Sequence, residues 1–80
     1  FDIETKRDEP VNFRFASDQA MERIELSVYG PNKQEIVKPE FFKNNEGLYS
    51  LNYAFPQKGR HIVHVMLNNS YAFTYTVTVR

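Results

Sequence analysis

The sequence predicts one small all-β domain, an antiparallel β-sandwich of about seven short strands. Apolar and polar residues alternate in five separate segments, as expected for strands with one buried face. Clusters of Gly, Pro and Asn separate these segments. A chain of 80 residues is long enough for a single domain, which we place at residues 1–80. Because the sequence begins at Phe1 rather than Met, we expect the domain to be excised from a larger protein.

The strands can be justified in order along the chain. The alternating segments lie at residues 11–15, 24–28, 49–55, 63–67 and 73–79. Weaker patterns predict further strands at residues 2–6 and 35–38, whereas residues 17–23 could form one helical turn capped by Ser17 or Asp18. The predicted core is drawn from the apolar residues of these segments: Phe13, Phe15, Ile24, Leu26, Val28, Tyr49, Leu51, Tyr53, Val63, Val65, Leu67, Phe73, Tyr75 and Val77.

Composition excludes several classes of function. The chain has ten basic and ten acidic residues, so it lacks the positive charge expected of a dedicated nucleic-acid binder. It has no cysteine, which rules out a thiol nucleophile, a disulfide scaffold and a zinc finger, and leaves the compartment open. Its three glycines do not fit a phosphate-binding loop, and none of its serines lies in a nucleophile elbow. We expect no enzyme activity, no cofactor and no membrane insertion.

Four blocks of the sequence resemble the immunoglobulin-like repeat of filamins. The run IELSVYGPNK at residues 24–33 is similar to the third strand of that repeat and the Gly-Pro turn after it. The run NNEGLYSLNY at residues 44–53 is similar to its Asp-Gly-Thr-Tyr strand entry. GRHIVHV at residues 59–65 and FTYTV at residues 73–77 are similar to its last two strands, with His61 at the usual tyrosine position. The resemblance implies an immunoglobulin-like sandwich.

The resemblance also implies a non-catalytic function. Filamin-type repeats act as spacers or as protein-interaction modules that accept an extended peptide beside an edge strand. Carried onto this sequence, the partner-binding residues would be Glu25, Ser27, Tyr29, Ile36 and Val37. The partner would be another protein or a neighbouring domain of the same parent chain.

The residues themselves suggest a semi-apolar sheet face that could support such binding. Ile62, His64 and Met66 alternate with core residues of one strand, and they are expected to face away from the core. The last strand is expected to place Thr74, Thr76 and Thr78 on the face opposite the core, and the third strand to place Tyr29 there. An antiparallel sheet with such a face can accept a partner, or it can be the solvated face of a spacer.

An alternative function is a small extracytoplasmic domain that handles copper. Bacterial YtkA-like extracytoplasmic domains share a similar Gly-x-Tyr strand pattern, and imidazole and thioether groups suit copper. The candidate ligands are His61, His64 and Met66, with Met21 as a further candidate. His61 and His64 are three residues apart in a predicted strand, so they should point to opposite faces.

Asn68-Asn69-Ser70 matches the acceptor sequence for N-glycosylation. These residues separate the last two alternating segments, so the sequence predicts a hairpin tip there. A hairpin tip would be accessible to modification if the protein is secreted.

Overall fold

A computed structural model describes residues 2–18 and 20–80, which form eight strands and no helix. None of these residues belongs to a helix that could cross a membrane. In chain order the strands are β1 (Asp2–Thr5), β2 (Pro10–Ala16), β3 (Ile24–Tyr29), β4 (Gln34–Val37), β5 (Phe41–Lys43), β6 (Leu48–Ala54), β7 (Gly59–Leu67) and β8 (Ser70–Val79).

The strands form two sheets packed face to face, which confirms the predicted sandwich. The larger sheet has the order β1-β8-β7-β3-β4, and the smaller has the order β2-β6-β5. All strand pairs described are antiparallel except β1 with β8, which is parallel. The ladder between β1 and β8 pairs Asp2 with Thr76 and Thr5 with Val79.

Alternation of apolar and polar residues explains which side chains fill the core. In β2, Val11, Phe13 and Phe15 are buried, whereas Asn12 and Arg14 between them are exposed. The full apolar core is Val11, Phe13, Phe15, Ile24, Leu26, Val28, Tyr49, Leu51, Phe55, Val63, Val65, Val77 and Val79. Three of these residues were absent from the predicted core: Val11, Phe55 and Val79.

Four residues predicted in the core are only half-buried: Tyr53, Leu67, Phe73 and Tyr75. They pack against the core from its rim rather than inside it. Two of them join the sheets, because Phe13 of β2 contacts Tyr75 edge-on with ring centroids 5.1 Å apart, and Phe15 contacts Phe73 at 5.9 Å. Aromatic pairs of this kind each stabilise a fold by about 0.5–1.5 kcal/mol beyond their area burial.

The hairpin between β7 and β8 turns at Asn68 and Asn69. Both asparagines have positive φ angles, 49° and 71°, as a two-residue type I′ turn requires. The predicted hairpin tip is therefore present. Asn68 also accepts hydrogen bonds from the backbone N–H groups of Glu22 and Arg23 through its Oδ1, at 3.0 and 3.1 Å.

Those bonds account for a difference in the segment that precedes β3. The sequence predicts a helical turn at residues 17–23, but the residues described there, 17, 18 and 20–23, form no helix, and Gln19 lies outside the described residues. The Glu22 and Arg23 backbone is instead bonded to Asn68, which follows the neighbouring strand β7 of the same sheet. Tertiary contacts therefore override the local helical signal.

Candidate interaction surface

The five-stranded sheet turns one face toward the smaller sheet and the other away from it. We call the face that points away from the smaller sheet the outer face. In β7, Val63 and Val65 point into the core, so Ile62, His64 and Met66 point the other way. Strand register places further members of the outer face beside them: Glu25, Ser27 and Tyr29 of β3, Gln34 and Ile36 of β4, and Tyr71, Thr74 and Thr76 of β8.

A cluster of aromatic rings occupies the centre of the outer face. The His64 ring lies between two tyrosines, with centroid distances of 5.6 Å to Tyr29 and 5.2 Å to Tyr71, both edge-on. A hydrogen bond of 3.0 Å joins His64 Nδ1 to Thr74 Oγ1 and fixes the orientation of the imidazole. Tyr71 is 68% exposed, and Tyr29 and Ile62 are also exposed. The cluster is thus an ordered and accessible apolar patch.

Tyr71 reaches this face because of an irregularity in β8. The register of β7 with β8 shifts between Val65, which pairs with Phe73, and Met66, which pairs with Tyr71. Ala72 is the extra residue of this bulge. A bulge reverses the alternation of side chains beyond it, so Tyr71 points outward although Phe73, two residues later, points toward the core.

Two of the predicted partner-binding residues are buried. Ser27 is only 1% exposed, because it lies between the larger side chains of Ile36 and His64 in register. Glu25 is buried as well, with its Oε1 3.7 Å from Arg23 Nε. Neither side chain is available as a direct contact in this conformation.

The other three predicted residues lie at or beside the edge strand β4. Ile36 is 50% exposed on the outer face, and Tyr29 is exposed on the same face two register positions along the ladder. Val37 instead turns to the opposite side of the strand and packs against the core. The accessible part of the predicted site is therefore Tyr29 and Ile36, joined by the aromatic cluster at His64 and Tyr71.

The described strands at the two edges of this sheet are β1 and β4. The edge beside β3 belongs to β4, because β3 itself is paired on both sides over Leu26–Tyr29. The Gly30 N–H donates to the Lys33 carbonyl at 2.8 Å, which makes these two residues a hydrogen-bonded pair. Such pairs alternate along an antiparallel ladder, so the next is Val28 with Glu35. The backbone N–H and C=O groups of Ile36 therefore point away from β3, toward the open edge.

This edge is short and flanked by residues that limit pairing. Lys33 precedes β4, and Lys38 and Pro39 follow it. Charged side chains and proline are common protections of natural edge strands against uncontrolled association. A strand added here would be held over about four residues, with its specificity set by the side chains it meets.

The three candidate copper ligands are divided between the two faces of the sheet. His64 and Met66 lie on the outer face, as expected from their spacing. His61 is buried on the core side, where its Nδ1 donates to the Gly59 carbonyl at 3.1 Å and its ring packs against Phe55. Among the described residues, no group of three or more His, Cys, Asp or Glu side chains could hold a metal ion.

A small cavity lies beside His61 at one end of the sandwich. Its volume of about 20 Å³ is room for about one water molecule, which is too small for a substrate. Tyr53 and Glu35 are among the residues that line it. Burial raises the pKa of the Tyr53 phenol above its usual value of 10.0, and the nearby Glu35 carboxylate raises it further.

Comparisons with known proteins identify the fold. No family model matches the sequence, and no curated protein matches it. Among solved structures, the Lin-41 filamin domain is similar to this chain with a TM-score of 0.70 and 12% sequence identity. The similarity covers 96% of this chain and 82% of that one. The chain therefore has the immunoglobulin-like fold of a filamin domain, as its sequence resemblance implies.

Proposed function

We propose that this domain is a non-catalytic protein-interaction module that binds an extended segment of a partner beside β4. The observation that carries the proposal is the ordered aromatic cluster of Tyr29, His64 and Tyr71, which continues to the free edge at Ile36. The similarity to a filamin domain supports a module of this kind.

The edge and the cluster would contribute different parts of the binding. A segment lying antiparallel to β4 would form backbone hydrogen bonds with the outward-pointing groups of Ile36, a mode that depends little on sequence. Alternate side chains of the segment would lie on the outer face, where they would meet Ile36 and Tyr29. Tyrosine is enriched among the residues that dominate binding energy at interfaces, so the cluster would supply selectivity.

The most direct test removes the outward-pointing N–H of Ile36. An Ile36→Pro variant loses that donor but keeps the bonds of Glu35 and Val37 to β3, since the Ile36 N–H takes no part in the β3–β4 ladder. Immobilised wild-type and variant domains would be compared for the proteins they retain from a lysate of the source organism. Circular dichroism and Tm would verify that each domain is folded.

The control for this capture is Lys58→Ser, which changes an exposed side chain between β6 and β7, outside β4. We expect a protein that wild type and Lys58→Ser retain and that Ile36→Pro loses. When the captured protein binds, the Ile36 amide should also become protected from hydrogen exchange. Equal retention by Ile36→Pro would contradict strand addition, and retention of nothing by wild type would favour a spacer domain.

A further inference from the structure

The smaller sheet carries a second surface feature, unrelated to the outer face. On the side of this sheet that faces solvent lies an open cleft of about 310 Å³. Register places three of its residues in one row across the strands: Arg14 of β2 pairs with Ser50 of β6, and Ser50 pairs with Phe42 of β5. The cleft thus has a guanidinium on one side, a hydroxyl at its floor and an aromatic ring on the other side.

Arg14 is held in position by a chain of hydrogen bonds. Its Nε donates to Asn12 Oδ1 at 2.6 Å, and Asn12 Nδ2 in turn donates to Asn52 Oδ1 at 2.8 Å. Among residues 2–18 and 20–80 no carboxylate forms an ion pair with Arg14. The four N–H bonds on its Nη atoms are thus available in a guanidinium whose orientation is already set, which lowers the entropic cost of binding an anion.

None of the residues that line the cleft is acidic. Lys43 is among them, but it pairs with the core residue Tyr49, and its ammonium lies 5.5 Å from the centre of that ring, so Arg14 is the cation that faces the cleft. Phe42, on the far side, is 65% exposed. A cleft with a guanidinium, no carboxylate among its lining residues and an exposed ring is complementary to an anionic group attached to an apolar one.

We propose that this cleft binds an acidic segment of a partner protein. A glutamate or aspartate of the segment pairs with the Arg14 guanidinium, and an adjacent aliphatic side chain packs against Phe42. A nucleic acid fits less well, since the chain has equal numbers of acidic and basic residues and only one exposed ring lines the cleft. The site lies on the opposite sheet from β4, so it does not depend on the function proposed above.

The test uses a defined peptide, acetyl-Glu-Glu-Leu-Glu-Glu-amide, added to the ¹⁵N-labelled domain while amide chemical shifts are recorded. The neutral peptide acetyl-Gln-Gln-Leu-Gln-Gln-amide is the matched control ligand. Arg14→Gln removes the guanidinium, and Arg60→Gln removes an exposed arginine of the other sheet as the matched control variant. Phe42→Ala tests the apolar contact separately, and the Tm of each variant shows that it is folded.

We expect saturable shifts at the amides of Arg14, Phe42 and Ser50 with the acidic peptide and weaker binding at higher salt. Because a charge-assisted bidentate pair is lost, Arg14→Gln should weaken binding about tenfold or more, whereas Arg60→Gln should not change it. Phe42→Ala should weaken binding several-fold. The proposal would be overturned if the neutral peptide caused equal shifts or if both arginine variants bound the acidic peptide equally. It would also be overturned if the shifts did not saturate at about 10 mM peptide, ten times the concentration needed to half-fill a site with a Kd of 1 mM. Tighter binding of an eight-residue oligothymidylate at the same amides would overturn it in favour of a nucleic acid.

Discussion

The imidazole of His61 lies directly against the backbone of Gly30. A Cβ atom built on Gly30 would come within 3.1 Å of His61 Cδ2 and 3.2 Å of Nε2. The ring cannot easily move away, because its Nδ1 is bonded to the Gly59 carbonyl and its other side packs against Phe55. The glycine that begins the β3–β4 turn is therefore required by a side chain of β7 rather than by its own φ angle.

Gly30→Ala should accordingly destabilise the domain by about 1–3 kcal/mol, the usual effect of overpacking a well-filled site. Denaturant unfolding of the single variants and the double variant with His61→Ala would measure the coupling. In the His61→Ala background the alanine at position 30 should be nearly neutral. An equal loss in both backgrounds would mean that the ring contact is not the cause. Asn32→Ala, at the exposed tip of the same turn, is the control.

Asn68 should matter much more than Asn69, although both have positive φ angles in the same turn. Glycine at either position keeps the turn conformation. Asn68→Gly also removes the acceptor of two backbone N–H groups, so we expect a loss of about 1–3 kcal/mol. Asn69→Gly loses only an exposed contact to Arg23 and should change stability by less than about 0.5 kcal/mol. Thermal unfolding of the two variants would decide, and equal effects would contradict this account of the turn.

Replacing Ser27 with alanine should stabilise the domain. The Ser27 Oγ is buried and finds no hydrogen-bond partner among the described residues. Removing an unpaired buried hydroxyl should raise the free energy of unfolding by about 1 kcal/mol. In a domain of this size that corresponds to a rise in Tm of about 4–8 °C. Ser50→Ala, a half-buried serine of the other sheet, is the control, and a lower Tm for Ser27→Ala would refute the prediction.

Alkaline pH should weaken the fold partly through Tyr53. The pKa of its phenol is raised in the folded state, first by burial and then by Glu35, so ionisation favours the unfolded chain. The protonated Tyr53 phenol contributes fully to the free energy of unfolding below pH 10.0, the pKa in the unfolded chain. That contribution is lost as the pH rises above 10.0 and through the higher pKa of the folded state. Tyr53→Phe should therefore lose less stability than wild type between about pH 9 and 11. Urea unfolding across this range would measure the free energy of unfolding of each protein, with Tyr71→Phe, which removes an exposed phenol, as the control.

Period-2 alternation was sufficient to predict most of the fold, because each long strand has one buried face. It failed where a strand is too short to show a period. The three residues of β5 were not predicted, and their strand exists because Phe41 and Lys43 pair with Leu51 and Tyr49 of β6. Such a strand is defined by its neighbour, which a local pattern does not contain.

The candidate surface was predictable only in part for a related reason. Alternation correctly placed His64 on the face opposite His61, but the same rule puts Tyr71 on the side of Phe73. The bulge at Ala72 reverses that assignment, and nothing in the local sequence marks it. Likewise, Ser27 is buried because register sets it between Ile36 and His64, which come from distant parts of the chain.

The parallel pairing of β1 with β8 determines how the domain would respond to a pulling force. The ladder runs from the pair of Asp2 with Thr76 to the pair of Thr5 with Val79. A force that pulls β1 from its first residue and β8 from its last residue therefore slides the two strands past each other. The hydrogen bonds would then be loaded together in shear rather than broken one after another, as in unzipping. The Arg80 backbone adds bonds to Thr5 and Arg7 at the same end. A spacer built this way would resist extension at its outermost strand first.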